Sequence, residues 1–397
     1  MIYDLLIVGG GLVGASLAIA LNGQGLRIGL IEAHPPGDPG QPSYDDRALA
    51  LSYGSRCILE SIQIWPGLAD QVAPIQRIHI SDQGHFGSAW ITSEQEKVPA
   101  LGYVIPARQL GRILWQQLRQ CADVTLLMPA QLVSVRHTPE QAEVTLRQPD
   151  RETHLAARLL VAADGSDSTL RKQLQIPVTG WDYHQIAIVA SLTPGRPHVN
   201  TAYQRFTPTG PVALLPHQAG HCTLIWTLHP DQHAEVQQYD AAQFCTAFQR
   251  QFGYRLGTLQ RVGQRHSYPL RLCRAQQIVA ERTALIGNAA HTLHPVAAQG
   301  FNLGLRDLSV LVDGLLAAHR AGQDIGSSAC LSQYQRVCHP EHQRFARATD
   351  SLVRLFTSPL RSLQWARNVG LLVFDHLPPV KHRFARAAMG QWRQNLW

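Results

Sequence analysis

No stretch of this sequence approaches the roughly 20 unbroken apolar residues of a membrane-spanning helix, and its seven cysteines include no Cys-x-x-Cys pair. The first absence argues against a transmembrane span. The second, with an odd number of thiols (Cys57, Cys121, Cys222, Cys245, Cys273, Cys330 and Cys338), argues for buried free cysteines in a reducing compartment rather than a disulfide framework. No basic stripe is interleaved with exposed aromatics, so nucleic acid is not an expected partner. Internal repeats and low-complexity tracts are missing too. The nearly uncharged stretch Leu5–Leu21 invites reading as a signal sequence, but Asp4 stands where a basic region is needed and four glycines interrupt it. The expectation is a cytoplasmic protein.

What is present suits a globular chain: 397 residues, 45% hydrophobic and 16% charged, enough for two domains or one elaborated domain. The 35 basic and 28 acidic residues give a net charge of +7, which favours anionic partners such as nucleotide phosphates or acidic lipid. The apolar run Leu5–Val8 predicts a strand, Gly9-x-Gly11-x-x-Gly14 a tight turn, Ala15–Leu21 a helix, and Ile28–Ile31 a second strand ending at Glu32. Glycines there let backbone approach a pyrophosphate at a helix N-terminus, and Glu32 can accept hydrogen bonds from ribose hydroxyls. The turn alone does not distinguish FAD from NAD, although its place at the N-terminus favours FAD.

After a Pro-, Gly- and Asp-rich excursion from His34 to Arg47, a helix is predicted over Arg108–Arg119. Strands are predicted at Val124–Leu127, Gln131–Arg136, Glu143–Leu146 and Leu159–Ala162. Between Gly180 and Tyr268 the pattern turns β-rich, with strands at Ile186–Ser191, Val212–Leu215 and Cys222–Leu228 and one helix at Ala241–Phe252. The nucleotide-binding pattern resumes at Ala284-Leu285-Ile286, followed by Gly287-Asn288-Ala289-Ala290-His291 and a loop from Pro295 into a helix beginning near Asn302. The sequence therefore divides into a discontinuous nucleotide-binding domain (1–175 and 270–335), an inserted β-rich domain (176–269) and a C-terminal helical region (336–397).

Several residues carry two readings from local chemistry. Arg47, after Asp45-Asp46, can reach a phosphate or pair with its own aspartates, and Arg108 has a similar choice between cofactor and solvent. Asp164-Gly165, after a buried strand, points a carboxylate into a ligand crevice or forms an Asx turn. His291 and His294 stand three apart, but no third ligand has zinc-like spacing, so a metal site is not expected. The glycine-bearing loop before the last of these helices would direct N–H groups and a helix dipole at a ligand that gains negative charge on reduction.

Taken together, the turn ending in Glu32, Asp45-x-Arg47-Ala-Leu-Ala-Leu, Asp164-Gly165, Gly287-Asn288-Ala-Ala-His291 and His294-Pro295 to Asp307 resemble the aromatic flavoprotein monooxygenases typified by para-hydroxybenzoate hydroxylase. More narrowly they look like the ubiquinone-biosynthesis hydroxylases, a resemblance that within that branch extends to Ser81-Asp82-x-Gly84-His85 and Arg205-Phe206-Thr207-x-x-Gly210-Pro211. The resemblance implies an α/β fold: a Rossmann-like FAD-binding domain with an inserted β-rich substrate domain and a C-terminal helical region. It also implies that Gly9, Gly11, Gly14 and Glu32 hold the ADP half of FAD. Arg47 and Arg108 would contact its phosphate or ribityl region, Asn288 the ribityl or pyrophosphate, and Asp164 both nucleotides. Pro295, Gly300, Phe301 and Asn302 would lie along the isoalloxazine. Two departures stand out. Asn288 replaces the family's usual Asp, and Ala298 replaces a usual Gly, which is compatible with the loop only if its φ is negative.

The implied activity is hydroxylation of a polyprenylated phenol, such as a 2-polyprenyl-6-methoxyphenol, with NAD(P)H as electron donor and O₂ as oxidant. Residues expected to meet the phenol are Tyr203, Arg205, His217 and Tyr268, beside Pro295. Rival readings are hydroxylation at another ring position, an isoprenoid reductase on the same scaffold, and a non-catalytic flavin-binding subunit of a biosynthetic complex. A prenylated substrate suggests peripheral association with the inner membrane. The arginines and apolar residues interleaved over 344–386 read either as a surface for anionic lipid or a partner, or as a helical cap packed on the flavin domain. Oligomeric state is left open.

Overall fold

A computed structural model describes residues 2–36 and 47–390. The excursion at 37–46, with Asp45 and Asp46, and the end of the C-terminal region at 391–397 lie outside the described residues. Strands Thr283–Leu285, Glu152–Ala162, Ile2–Val8, Ile28–Ile31 and Val124–Leu127 lie side by side and run parallel. Leu5, Leu6 and Ile7 pair with Leu159, Leu160 and Val161 on one side and with Ile28, Gly29 and Leu30 on the other. All of these are buried, which is why the strands read as continuous apolar runs rather than alternating ones: both faces of the parallel sheet are covered. Strands Gln131–His137 and Ala142–Arg147 extend it as an antiparallel flap on the lower half of Glu152–Ala162.

The second sheet is mostly antiparallel and larger than the inserted segment predicts. Strands Val178–Thr193, Thr201–Thr207, Gly210–Pro216, Cys222–Leu228 and Arg261–Ala275 form its body. Arg77–Asp82 joins it parallel to Thr201–Thr207, and Ser88–Thr92 closes that edge. A hairpin roughly a hundred residues upstream thus completes the sheet, a pairing that local periodicity cannot reveal. The Arg205-Phe206-Thr207-x-x-Gly210-Pro211 motif is a hairpin turn, closed by the Thr207 hydroxyl donating to the Gly210 carbonyl at 2.7 Å.

Residue parity assigns the two faces of this sheet. Ile188, Ala190, Val212, Leu214, Leu224 and Trp226 share an outer core with Phe244, Phe248 and Phe252 of the helix Ala241–Phe252. That helix starts where Asp240 accepts from the Gln243 N–H at 2.7 Å and Gln243 accepts from the Asp240 N–H at 3.0 Å. It stops at Gly253, whose φ of 86° a side chain would oppose. Removing the Asp240 cap would lose about 1 kcal/mol. Ala187, Val189, Leu215 and Ile225, the alternate positions, turn inward toward the first sheet.

The C-terminal helices Ser328–Thr357, Arg361–His376 and Pro378–Ala388 cover one flank of both sheets. They begin earlier than residue 336, and Pro340 lies inside the first of them. Tyr334 donates to the Leu285 carbonyl at 2.8 Å, fastening this helix to the parallel sheet. The Ser81-Asp82-x-Gly84-His85 motif fastens the next one. Asp82, 2% exposed, accepts from Arg367 Nε at 2.8 Å and from Asn368 at 3.1 Å, while the Gly87 N–H donates to Asn368 at 3.0 Å. All seven cysteines are free.

Candidate active site

Between the parallel sheet and the inner face of the second sheet lies a cavity of about 860 Å³, within the range of cofactor and ligand pockets. At one end is the glycine turn. Gly9 has φ +107°, and a Cβ there would sit 2.5 Å from the Ala163 carbonyl oxygen; a Cβ on Gly14 would sit 2.0 Å from the Gly9 carbonyl oxygen. Strand, turn and helix approach so closely that no side chain fits, which leaves the N-terminus of the helix Leu12–Leu21 open to a ligand. Gly9 and Gly11 line the cavity, and Gly14 lets the turn close behind them. Glu32 lines it too. Its carboxylate is aimed by two backbone donors, Gly10 N–H at 2.6 Å and His34 N–H at 2.9 Å.

Asp164, Asn288 and Arg47 occupy the middle. One Asp164 oxygen accepts from the Leu170 N–H at 3.2 Å, whereas the other is buried with no hydrogen bond. Burial pushes the Asp164 carboxyl up. A buried acceptor left without a partner on a residue that lines the cavity is what a ligand carrying hydroxyl donors would complete. The Asp164 loop and the Asn288 loop are joined by Arg171, which donates to the Ser166 and Ala289 carbonyls at 2.7 Å each. Sequence reasoning passed over Arg171. Its signal was the regular spacing from Asp164 to Ser168, which caps the short helix Thr169–Gln173, and on to Arg171 within that helix.

At the far end, Pro295, Ala298, Gly300 and Phe301 line the cavity. The helix begins at Gln299, three residues earlier than its pattern predicts, because Val296–Ala298 already forms a turn of 3₁₀ helix. The first turn of a helix carries backbone N–H groups that its own carbonyls do not satisfy, and Gly300 and Phe301 of that turn line the cavity. Ala298 precedes them at φ 50°, ψ 39°, in the left-handed region. The expectation of a negative φ there is therefore overturned. The loop keeps its glycine-type conformation with an alanine in it, at roughly 1 kcal/mol of local strain.

Asn302 does not line the cavity. Its amide donates to the Ala50 and Ala298 carbonyls at 2.9 and 2.7 Å, and its oxygen accepts from the Ser52 N–H and the Ser55 hydroxyl at 2.8 and 2.7 Å. Both ends of the amide are committed, so the side chain pins the loop to strand Ala48–Ser52 rather than offering groups to a ligand. His294 supports the loop from the other side. Val296 N–H donates to Nδ1 at 3.1 Å, which puts the proton on Nε2, facing Gln185 Oε1 at 3.4 Å. Burial lowers the His294 pKa to about 4, so the ring is neutral.

His291 and His294 do not converge. Instead His291 Nε2 and His342 Nε2 meet the two oxygens of Asp307, at 2.9 and 2.5 Å, and Asp307 also accepts from the Gly287 N–H at 3.2 Å. These three side chains are at most 1% exposed, and the two histidines hold the Asp307 carboxyl far below the usual carboxylate range despite its burial. The donor set matches what a metal could use. Each Nε2 is already engaged with the carboxylate, so the cluster acts as a buried hydrogen-bonded tie between the Gly287–Ala289 loop and two helices.

Of the residues expected to meet a phenol, Tyr268 lines the cavity: it pairs with inward-facing Ala187, and the Arg47 guanidinium stands 5.1 Å above its ring. Tyr203 and Arg205 do not. They pair with Leu214 and Val212 of the outer face, and the Tyr203 ring packs on Phe252 and His79 at 5.6 and 5.9 Å. His217 follows the end of its strand, where its carbonyl accepts from His198 at 3.1 Å, also away from the cavity. Arg108 is exposed one residue beyond Ala107, which lines the cavity.

The profile of the FAD binding domain family matches residues 3–349. Ubiquinone hydroxylase UbiL of Rhodospirillum rubrum is 36% identical over 98% of this chain and 90% of its own length. The 3-demethoxyubiquinol 3-hydroxylase of Escherichia coli is 30% identical over 98% of both chains. Among solved structures, p-nitrophenol 4-monooxygenase PnpA from Pseudomonas putida superimposes with a TM-score of 0.80 over 99% of both chains at 18% identity, a likeness of fold.

Proposed function

The chain belongs to the FAD binding domain family and is an FAD-dependent monooxygenase of the ubiquinone-hydroxylase type, and we propose that it converts a 2-polyprenyl-6-methoxyphenol to the corresponding 1,4-benzoquinol. One observation carries this reading: a single cavity runs from the glycine turn and Glu32, past Asp164 and the Pro295–Phe301 loop, to an apolar wall of Ala187, Val189, Leu215 and Ile225 beside Tyr268. The near end fits a dinucleotide and the far end a hydrophobic ring.

On this reading Gly9, Gly11 and Glu32 hold the ADP half of FAD, with Gly14 allowing the close approach. Arg47 and Asn288 meet the phosphate and ribityl region, and the orphaned Asp164 oxygen accepts from a cofactor hydroxyl. Bound FAD supplies the redox chemistry, accepting electrons from NAD(P)H and activating O₂. The N–H groups of Gly300 and Phe301 and the dipole of their helix would stabilise negative charge on the bound flavin. Pro295 and the apolar wall exclude water from the reacting face. Tyr268, under the Arg47 cation, is placed to bind or orient the phenol oxygen. A second reading, hydroxylation at another ring position, is favoured by the relative named for position 3.

The decisive experiment gives the purified yellow protein NADH or NADPH, a short-chain methoxyphenol and isotopically labelled O₂. Incorporation of one labelled atom into the ring supports the proposal, and the position of the new hydroxyl chooses between the two readings. Bleaching of the flavin without oxygen uptake points to a reductase, and neither change points to a non-catalytic subunit.

A further inference from the structure

The last two helices are built inside out. In Arg361–His376 the inward face carries Arg367 and Asn368, 7% and 1% exposed, while Trp365, Val369 and Val373 recur every four residues on the outward face at 68%, 44% and 48%. Pro378–Ala388 repeats the inversion, with Lys381 buried and Val380 and Phe384 exposed. Leu377 joins the two stripes, and Phe86, itself exposed, meets Trp365 edge-on at 6.3 Å. Water alone would favour the opposite arrangement. A row of apolar side chains this continuous marks a surface that a second apolar phase covers.

Charge identifies that phase. From Ser358 to Gly390 there are five Lys or Arg residues and a single acid, Asp375. Asp375 is engaged by the Trp90 N–H at 2.9 Å and Lys381 at 3.2 Å, so it does not offset the exposed Arg361, Arg383 and Arg386. An amphipathic helical hairpin with a Trp on its apolar side and arginines beside it matches an interfacial segment lying on anionic lipid. We infer that the outward face of helices Arg361–His376 and Pro378–Ala388 docks on an anionic bilayer.

The position of this face deepens the proposed function, on which the following point rests. The inward side of the same helix places Leu371 in an apolar cluster with Phe206, Phe356, Val353 and Val296, the last of these in the cofactor loop. The bilayer surface is thus separated from that loop by one helix and its packing, a helix being about 10 Å across. A prenylated phenol could keep its tail in lipid while its ring reaches the cavity.

The test sediments the FAD-loaded full-length protein with phosphatidylcholine vesicles and with vesicles also containing phosphatidylglycerol. Binding to the anionic vesicles is expected, weakening as salt shortens the reach of surface charge. Trp365→Asp/Val369→Asp/Val373→Asp should lower that binding at least tenfold. Arg383→Glu/Arg386→Glu should lower it severalfold on anionic vesicles only. Both variants should keep their FAD content and their turnover of a short-chain, water-soluble phenol. Absence of vesicle binding by the parent, or equal binding by the stripe variant, overturns the inference. So does a stripe variant whose only change is dissociation of an oligomer in light scattering, which would make the face a contact between copies. Failure of short-chain turnover with vesicle binding intact would instead overturn the functional reading.

Discussion

Replacing Arg367 by Met isolates the joint between the C-terminal helices and the second sheet. The guanidinium spans both, with Nε 2.8 Å from Asp82 and Nη1 donating to the carbonyls of Leu355, Phe356 and Ser358 at 3.1, 2.8 and 3.3 Å, where the preceding helix ends. A pair of unit charges about 4 Å apart at an effective dielectric near 20 attracts by about 4 kcal/mol. Much of this offsets the desolvation of both groups, so the intact pair adds little net stability. The single substitution is different. It leaves Asp82 buried with only Asn368 and His85, at 3.1 Å each, and it uncaps three carbonyls, so a loss of about 3–5 kcal/mol is expected. The loss should be local, because neither residue lines the cofactor cavity. Hydrogen exchange and limited proteolysis should show residues 358–390 opening first, with FAD retained. Adding Asp82→Asn removes the stranded charge and should recover about 2 kcal/mol in a double-mutant cycle. A loss below about 1 kcal/mol for Arg367→Met, or no recovery in the double variant, would refute the argument that this ion pair sets the joint.

Ala298→Gly relieves the left-handed alanine at φ 50°, and after the greater flexibility of glycine in the unfolded chain is subtracted it should stabilise by up to about 1 kcal/mol; Ala298→Val should destabilise, both read by thermal melts of the FAD-loaded protein. Asn302→Leu removes four hydrogen bonds and strands the Ser52 N–H and its neighbours, so a loss of about 2–4 kcal/mol and faster FAD release in fluorescence are expected. His294 has a folded pKa of about 4 against an ordinary 6.5, so between those values only the unfolded chain takes up its proton. Its contribution is therefore full above pH 6.5 and falls as pH drops toward 4, by up to about 3 kcal/mol, and His294→Gln should flatten the melting temperature across that window. Tyr268→Phe should reduce kcat/KM for a short-chain phenol roughly tenfold or more with FAD binding unchanged. Tyr203→Phe, on the outer face, should leave the same constant within about twofold, and equal effects of the two would contradict the assignment of faces.

The nucleotide half was legible because its signals are local. A buried strand, a glycine turn, a helix and Glu32 lie within about thirty residues, and Gly9 and Gly14 answer contacts that a Cβ would violate. The helix Ala241–Phe252 was legible to the residue, since Asp240 and Gly253 mark its ends chemically. What escaped were consequences of long-range pairing. The hairpin Arg77–Thr92 joins a sheet whose other strands begin at Val178, and no periodicity announces that. Tyr203, Arg205 and His217 were credible as polar residues in a substrate domain, but a strand sends alternate side chains to opposite faces. Only register against Leu214 and Val212 shows that Tyr203 and Arg205 face outward. Asn302 was placed in the correct loop with the wrong partner, because its partners Ala50, Ser52 and Ser55 lie some 250 residues away.

These two kinds of specification divide the labour of the site. Positions proposed to grip the dinucleotide are constrained by backbone approach, at Gly9 and Gly14, and by cross-ties such as Arg171 and Asp307 that hold separate loops together. Most substitutions there would disturb the shared scaffold. The wall proposed to meet the substrate is different: Ala187, Val189, Leu215 and Ile225 touch the cavity with apolar side chains whose volumes can change without altering the strand register. A methyl gained or lost on that wall shifts a bound ring by a fraction of its width, enough to bring a different carbon to the reacting face when the rest of the site is fixed. On the proposed function, the choice of ring position would therefore reside in the inward-facing residues of the second sheet.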